Sequence, residues 1–137
     1  MFRFLKTRKK TTASTQNLCC SIEDFHQKLR IECRRSSYNE QEFSLVLLTL
    51  DPDQTDPKQV QHLIRRIHHQ IREIDVIGRY NAESIGIIMP YTAETGARGF
   101  INKIIRSIAG IENQTKYALF RYLPNQNRLH KINADTA

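Results

Sequence analysis

The stretch IREIDVIGRYNAESIGIIMP, residues 71–90, decides the fold. It leaves the end of an apolar-periodic segment and enters a β-branched run from Asp75 to Tyr80. It then turns on NAES and returns as Ile85–Met89, which Pro90 stops. Two short β-branched runs joined by a small polar turn read as a hairpin. Upstream, Val60, Leu63, Ile64, Ile67 and Ile71 recur at the spacing of one helix face, and Pro57 suits a first helical position. PDQTDP is a turn, and before it FSLVLLTLD, residues 43–51, is nearly all apolar, as a strand buried on both faces would be. Downstream, Ala97, Phe100, Ile101, Ile104, Ile105 and Ile108 line a further helix that Gly110 ends, and KYALFRYL, residues 116–123, alternates as a last strand before Pro124.

At the front, SIED is a capping box, with Ser21 as N-cap and Asp24 three residues on. The helix it opens carries Ile22, Phe25, Leu29 and Cys33 to about Arg35, where SSYNEQE breaks the pattern. The order, a helix followed by β-α-β-β-α-β, predicts an α+β ferredoxin-like sandwich of four antiparallel strands with two helices on one face. The extra N-terminal helix is expected against one edge or extending from it. Three regions follow: a basic flexible tail over 1–20, one domain over 21–124, and a loose C-terminal tail over 125–137.

A chain of 137 residues suits a single domain with a modest core. Its longest apolar run, FSLVLLTL, falls short of the ~18 residues a membrane helix needs. The start, MFRFLKTRKK, is basic with no apolar region behind it, so it does not read as a secretory signal. Cys19, Cys20 and Cys33 have neither metal spacing nor the even count of a disulfide framework, and Cys19-Cys20 read as thiols at a helix start rather than as a lipidation site. A cytoplasmic protein is the expectation. The net charge of +7 points to an anionic partner: nucleic acid, nucleotide or membrane surface. RNA is set aside because the expected central strands, SLVLLTL and IGIIM, have no aromatic residue to stack bases. His62, His68 and His69 read as a solvated helix face, with no accompanying metal set, and no Ser-His-Asp or Cys-His arrangement has supporting context.

ECRRSS, FSLVLLTLD, REIDVIGRYNAESIGIIMPYT and ETGA follow one another with the spacing of GGDEF (diguanylate cyclase) domains. From Ile22 to Leu123 the chain resembles a degenerate member of that family. The resemblance implies the nucleotide-cyclase palm, shortened at the C-terminus, because the family's last helix has no counterpart. It also implies lost chemistry. Joining two nucleotides through two metal ions needs carboxylates at the end of the first strand and in the hairpin. The family's first metal Asp aligns with Thr49, a neutral hydroxyl that does not replace it. Asp51 matches the second acid, while Pro52, Asp53 and Gln54 stand where the family has an aromatic-Lys pair, and the guanine-reading loop is mostly missing. The signature turn becomes Asn81, Ala82, Glu83, Ser84 and Ile85: both glycines are replaced, Glu83 keeps one acid and Ser84 replaces the next. Neither catalysis nor a bound metal or cofactor is expected.

One family element survives. Arg72-Glu73-Ile74-Asp75 stands where many members carry an inhibitory RxxD site for cyclic di-GMP, and Lys103 is at about the position of a further basic residue. A guanidinium can donate to guanine O6 and N7, and a carboxylate can accept from N1 and N2. Lys103, or Arg34 or Arg35 of the first helix, is the candidate to meet a phosphate. The competing reading of the same residues is structural: Arg72 offsets a helix dipole and Asp75 forms the helix exit. Arg79 and Tyr80 read as stabilisers of the hairpin strand. The resemblance therefore implies a non-catalytic regulatory domain, a cyclic di-GMP receptor controlling a protein partner in exopolysaccharide synthesis. The alternative is a nucleotide-independent interaction module beside a sugar transferase in a polysaccharide assembly complex. The basic N-terminus offers a peripheral contact with the inner membrane, a homodimer is allowed, and no nucleic-acid partner is expected.

Overall fold

A computed structural model of the chain describes residues 21–51, 56–107 and 116–132. The basic tail with Cys19 and Cys20, the segment holding Pro52, Asp53 and Gln54, and the expected helix end at Gly110 lie outside these residues. The elements are α1 (Ile22–Asn39), β1 (Phe43–Thr49), α2 (Pro57–His68), β2 (Val76–Asn81), β3 (Ser84–Pro90), α3 (Glu94–Ser107), β4 (Lys116–Leu123) and β5 (Arg128–Ile132). From β1 to β4 they run in the β-α-β-β-α-β order of the ferredoxin-like sandwich. The sheet order is β2-β3-β1-β4-β5, and every neighbouring pair is antiparallel.

β1 is central, and Leu45 sits opposite both Ile88 and Phe120. Side chains of a strand alternate between faces, so the apolar run of β1 serves two cores. Val46 and Leu48 join Ile85, Ile87 and Met89 under α2 and α3, which add Val60, Leu63, Ile64, Ile67, Ala97, Ile101 and Ile104. Phe43, Leu45 and Ile88 point the other way, into a second core with Phe25, Leu29 and Tyr122. Two covered faces explain why the run shows no polar alternation.

α1 does not sit at the sheet edge. It crosses the face opposite α2 and α3, packing on β2, β3 and β4. That face is apolar and needs a cover, and Phe25 is fully buried in it; burying a Phe contributes about 1.5–3 kcal/mol. Gly86 of β3 makes the room, since a Cβ there would lie 2.5 Å from Phe25 Cζ. Ser21 caps α1 as its sequence promised, accepting from the Asp24 N–H at 3.1 Å.

The helix also continues past Arg35 to Asn39. The apolar spacing fails there, but polar contacts replace it: buried Ser36 donates to the Gln41 carbonyl, and Ser37 Oγ lies 2.7 Å from Tyr122 Oη. Glu40 stops the helix in the left-handed region at φ 58°, with the N–H groups of Glu40 and Gln41 both reaching Ser36 O.

The expected loose tail contains a strand. After a turn in which the Gln126 and Asn127 N–H groups donate to Leu123 O, Asn127 takes a left-handed φ of 54°, which Asn tolerates. The chain then pairs back along β4 as β5, Leu129 opposite Tyr122. β5 is a sheet edge, and Arg128, His130 and Lys131 are the charged and polar residues that protect such an edge from further pairing. Leu129 and Ile132 pack into opposite cores, so no alternation announces the strand.

Candidate functional site

α2 ends at His68, and seven residues on, after Asp75, the chain re-enters the sheet as β2 near the first half of α3. A tight turn, closed by the Asp75 N–H on Arg72 O at 3.0 Å, brings the Asp75 carboxylate back toward Arg72. Only 1% of the Asp75 side chain is exposed. Oδ2 accepts from the Arg72 backbone N–H at 2.7 Å, Oδ1 from Nη2 at 2.7 Å, and Nε lies 3.2 Å from both oxygens. Arg72 Nη2 also donates to Pro90 O at 2.9 Å and to Thr92 Oγ1 at 2.7 Å. Nη1 has no acceptor among the described residues, and nearly half of the Arg72 side chain (48%) faces solvent.

Arg72 and Asp75 border a cleft of about 340 Å³ between the end of α2 and the first half of α3, within the size range of small-molecule sites. Lys103 and Gln70 contribute polar groups to it, Phe100 and Met89 apolar ones, and Gly99 a wall without a side chain. The structure thus brings Lys103 to the RxxD pair. It does not bring Arg34 or Arg35 there, because α1 lies on the other face of the sheet. Arg34 borders a separate cleft of about 480 Å³ with Cys33, Tyr38 and Tyr122. Arg35 pairs with Glu32, a hydrogen bond that pushes its pKa up, and its guanidinium lies 4.2 Å from the centre of the Tyr91 ring.

The residues that sequence reasoning missed are those of the turn between β3 and α3. Tyr91 adopts φ 56°, a left-handed value that a bulky residue holds only when its neighbours fix it. Arg72 grips Pro90 and Thr92, buried Ser44 of β1 donates to Thr92 O at 2.8 Å, and Arg35 covers the Tyr91 ring. No spacing rule announces this clamp. The only signal is a strand-ending proline fifteen residues after a buried acid.

At the opposite end of β1, Thr49 is exposed and stands opposite Ser84 in the register with β3. The strand ends here thus set two hydroxyl-bearing residues opposite each other. Leu50 N–H donates to Glu83 O at 2.8 Å and ties this strand end to the hairpin. Ala82 and Glu83 form the turn without a positive φ, so it needs no glycine; instead a bulge between Arg79 and Asn81 takes up the twist. Asn81 Oδ1 accepts from the Glu83 N–H at 2.9 Å, and Arg79 donates to Ala82 O at 2.7 Å, so Arg79 stabilises the turn. Ile85 is wholly buried in the core. The Glu83 side chain is exposed. His62, His68 and His69 lie on the exposed surface of α2 and its end. Among the described residues no three His, Cys, Asp or Glu side chains gather as a metal would require.

No protein-family model and no curated protein matches this chain. Solved structures do match. A DGC protein from Thermotoga maritima superposes with a TM-score of 0.59 at 15% identity, over 75% of this chain and 79% of that one. The GGDEF domain of DgcB from Caulobacter crescentus, solved in complex with c-di-GMP, gives 0.56 at 13% identity over 75% and 69%. The diguanylate cyclase SiaD of Pseudomonas aeruginosa, in complex with its activator SiaC, gives 0.60 at 17% identity; the match covers 87% of this chain but 55% of SiaD. The chain has the fold of a GGDEF domain, the palm expected from its sequence.

Proposed function

We propose that this chain is a non-catalytic regulatory domain of GGDEF type that takes cyclic di-GMP in the Arg72–Lys103 cleft. The observation that carries this reading is the convergence of Arg72, Asp75 and Lys103 on one cleft, although Lys103 is 28 positions beyond Asp75 in the chain. In that cleft Arg72 Nη1 donates to a guanine acceptor while Phe100 offers a ring for stacking and Lys103 meets a phosphate. Asp75 plays a different part from the one its motif suggests. Its oxygens are taken by Arg72, so it positions the guanidinium rather than reading the base.

The absence of catalysis rests on Thr49 and Ser84. Neutral hydroxyls are poor ligands for magnesium beside the carboxylates Asp51 and Glu83 alone. Incubation with GTP and magnesium or manganese is expected to give no cyclic dinucleotide. A protein partner, in exopolysaccharide synthesis or another membrane-associated process, would read the ligand state.

Calorimetric and thermal-shift titration with cyclic di-GMP tests the receptor reading. Ligand at ~100 times its dissociation constant would stabilise the fold by about 2.7 kcal/mol. A side chain at Gly99 supplies the control: an added Cβ meets nothing within 4 Å, so Gly99→Leu is expected to leave the fold intact and to crowd the cleft that Gly99 borders. Binding by the native chain that Gly99→Leu abolishes supports the site. No binding by the native chain removes it. The second reading, an interaction module without nucleotide, is favoured by the same saturation of Asp75, which makes the pair a structural clamp. It predicts partner capture that is unchanged by cyclic di-GMP and by Gly99→Leu.

A further inference from the structure

The two helices that cover one face of the sheet, α2 and α3, carry Lys58, Arg65, Arg66, Arg98, Lys103 and Arg106 against a single acid, Glu94. α1, on the other face, is nearly balanced: Lys28, Arg30, Arg34 and Arg35 stand against Glu23, Asp24 and Glu32. The positive charge of the helices is therefore concentrated on one side of the molecule. Lys58, Arg65 and Arg66 are exposed on α2, and Lys103 and Arg106 on α3. Lys58, His62, Arg65 and His69 follow one another at helical spacing along the outer side of α2 and its end.

Both helices spend their apolar side inward. Val60, Leu63, Ile64 and Ile67 of α2, with Ala97, Ile101 and Ile104 of α3, are core residues. The large apolar side chains exposed among the described residues are Ile22, Ile31, Tyr38, Ile74 and Tyr91, none of them on α2 or α3. We propose that this α2–α3 face docks the domain on an anionic lipid surface.

The chemistry of the face selects that occupant. Protein interfaces draw their energy from buried aromatic, Arg and apolar anchors packed at a desolvated centre, and among the described residues α2 and α3 expose no large apolar side chain to seed such a centre. Single-stranded nucleic acid needs a series of aromatic platforms, and among the described residues of α2 and α3 the one aromatic ring other than histidine is Phe100, half-buried at the cleft. A membrane surface needs neither. It presents a plane of negative headgroups, and its attraction grows with each Lys or Arg held near it. Two helices lying over one sheet present their cations across such a plane, α2 alone running about 18 Å for its twelve residues. This inference does not depend on the nucleotide reading, because Lys58, Arg65, Arg66 and Arg106 are not part of the Arg72 cleft.

Flotation of the full chain with phosphatidylcholine vesicles, with and without about 30 mol% phosphatidylglycerol, tests it. Binding is expected only with the anionic lipid and is expected to fall steeply at ~0.5 M salt. Lys58→Glu/Arg65→Glu is expected to weaken binding by at least about tenfold. Lys28→Glu/Arg30→Glu makes the same change in total charge on exposed residues of the opposite helix and is expected to bind nearly as the native chain does. Circular dichroism of both variants keeps an unfolded sample from counting. Equal losses in the two variants would show that overall charge, the N-terminal lysines and arginines included, does the binding, and would overturn the assignment of this face. So would native binding to plain phosphatidylcholine, or retention on duplex DNA or RNA with none on anionic vesicles.

Discussion

Arg72→Ala separates the clamp from the ligand site. The substitution removes the donors that Nε and Nη2 place on Asp75, Pro90 O and Thr92 Oγ1, and leaves the Asp75 carboxylate with the backbone N–H of residue 72. Breaking a fully buried ion pair costs about 3–5 kcal/mol, because a charge stays behind without its partner. Asp75 is buried to that degree, but the Arg72 side chain is 48% exposed and water screens its half of the interaction. Hydrogen bonds to charged groups contribute about 1.5–3 kcal/mol, so a loss of about 2–3 kcal/mol is expected for the whole set. Thr92 retains its own bond to Pro90 O at 3.0 Å, which keeps the turn from opening entirely. Urea unfolding followed by far-ultraviolet circular dichroism measures the loss. Asp75→Asn should cost a similar amount by setting an amide N–H against the Arg72 donors. The double variant should cost less than the sum of the two, since either one breaks the same contact. An Arg72→Ala stability within about 0.5 kcal/mol of the native chain would refute the clamp and return the whole guanidinium to ligand binding. A loss of the expected size means that every nucleotide titration of this variant has to be read against its own unliganded melting curve.

Gly86→Ala is expected to destabilise by about 1–3 kcal/mol through overpacking, since its Cβ would stand 2.5 Å from Phe25 Cζ and 2.8 Å from Cε2 in a filled core. Phe25→Leu in the same chain should recover part of that loss, and strict additivity in urea unfolding would show that α1 does not press on β3. Cys33 is half-buried, and burial first, then the neighbouring Glu32 carboxylate, push its thiol pKa up. With Cys19 and Cys20 replaced by Ser, alkylation of Cys33 at pH 8 is expected to run well below the rate in urea, the thiolate being the reactive form. The sign for stability follows. Above the unfolded thiol's pKa the unfolded chain loses a proton that the folded chain keeps, so Cys33 costs stability as pH rises through that window and nothing below it. A Cys33→Ser chain that loses as much stability as the Cys33 chain between pH 8 and pH 10 would refute this.

The parts of the fold legible in the sequence are those where one physical rule acts alone. Ser21 and Asp24 make a cap whatever lies around them, Pro57 starts α2, and the Ile85–Met89 run has no alternative to a buried strand. The misread parts are those where two rules compete. β5 gives one apolar residue to each face, Leu129 to the core under α1 and Ile132 to the other, so no alternation marks it, and Arg128, His130 and Lys131 fill the rest of an edge strand. The last turn of α1 has no apolar stripe because Ser36 and Ser37 meet polar groups of the β1 approach and β4, not a hydrophobic core. The face that α1 covers was hidden for a related reason: β1 is apolar in both directions, so its sequence shows that two faces are covered without showing by what.

The same competition governs the site. A motif such as Arg72-x-x-Asp75 fixes which groups are near each other, but not which of them remains available to a ligand. That depends on Pro90, Thr92 and Ser44, residues fifteen or more positions away that take up the donors of Arg72 and hold the turn beside it. The free group is then Nη1 at the rim of a cleft that Lys103 also borders, and the acid of the motif is the part with least left to give. A nucleotide bound here would have to reward one exposed donor, one lysine and the Phe100 ring. Its affinity should therefore respond more to Lys103→Ala and to ionic strength than a site with a free bidentate fork would.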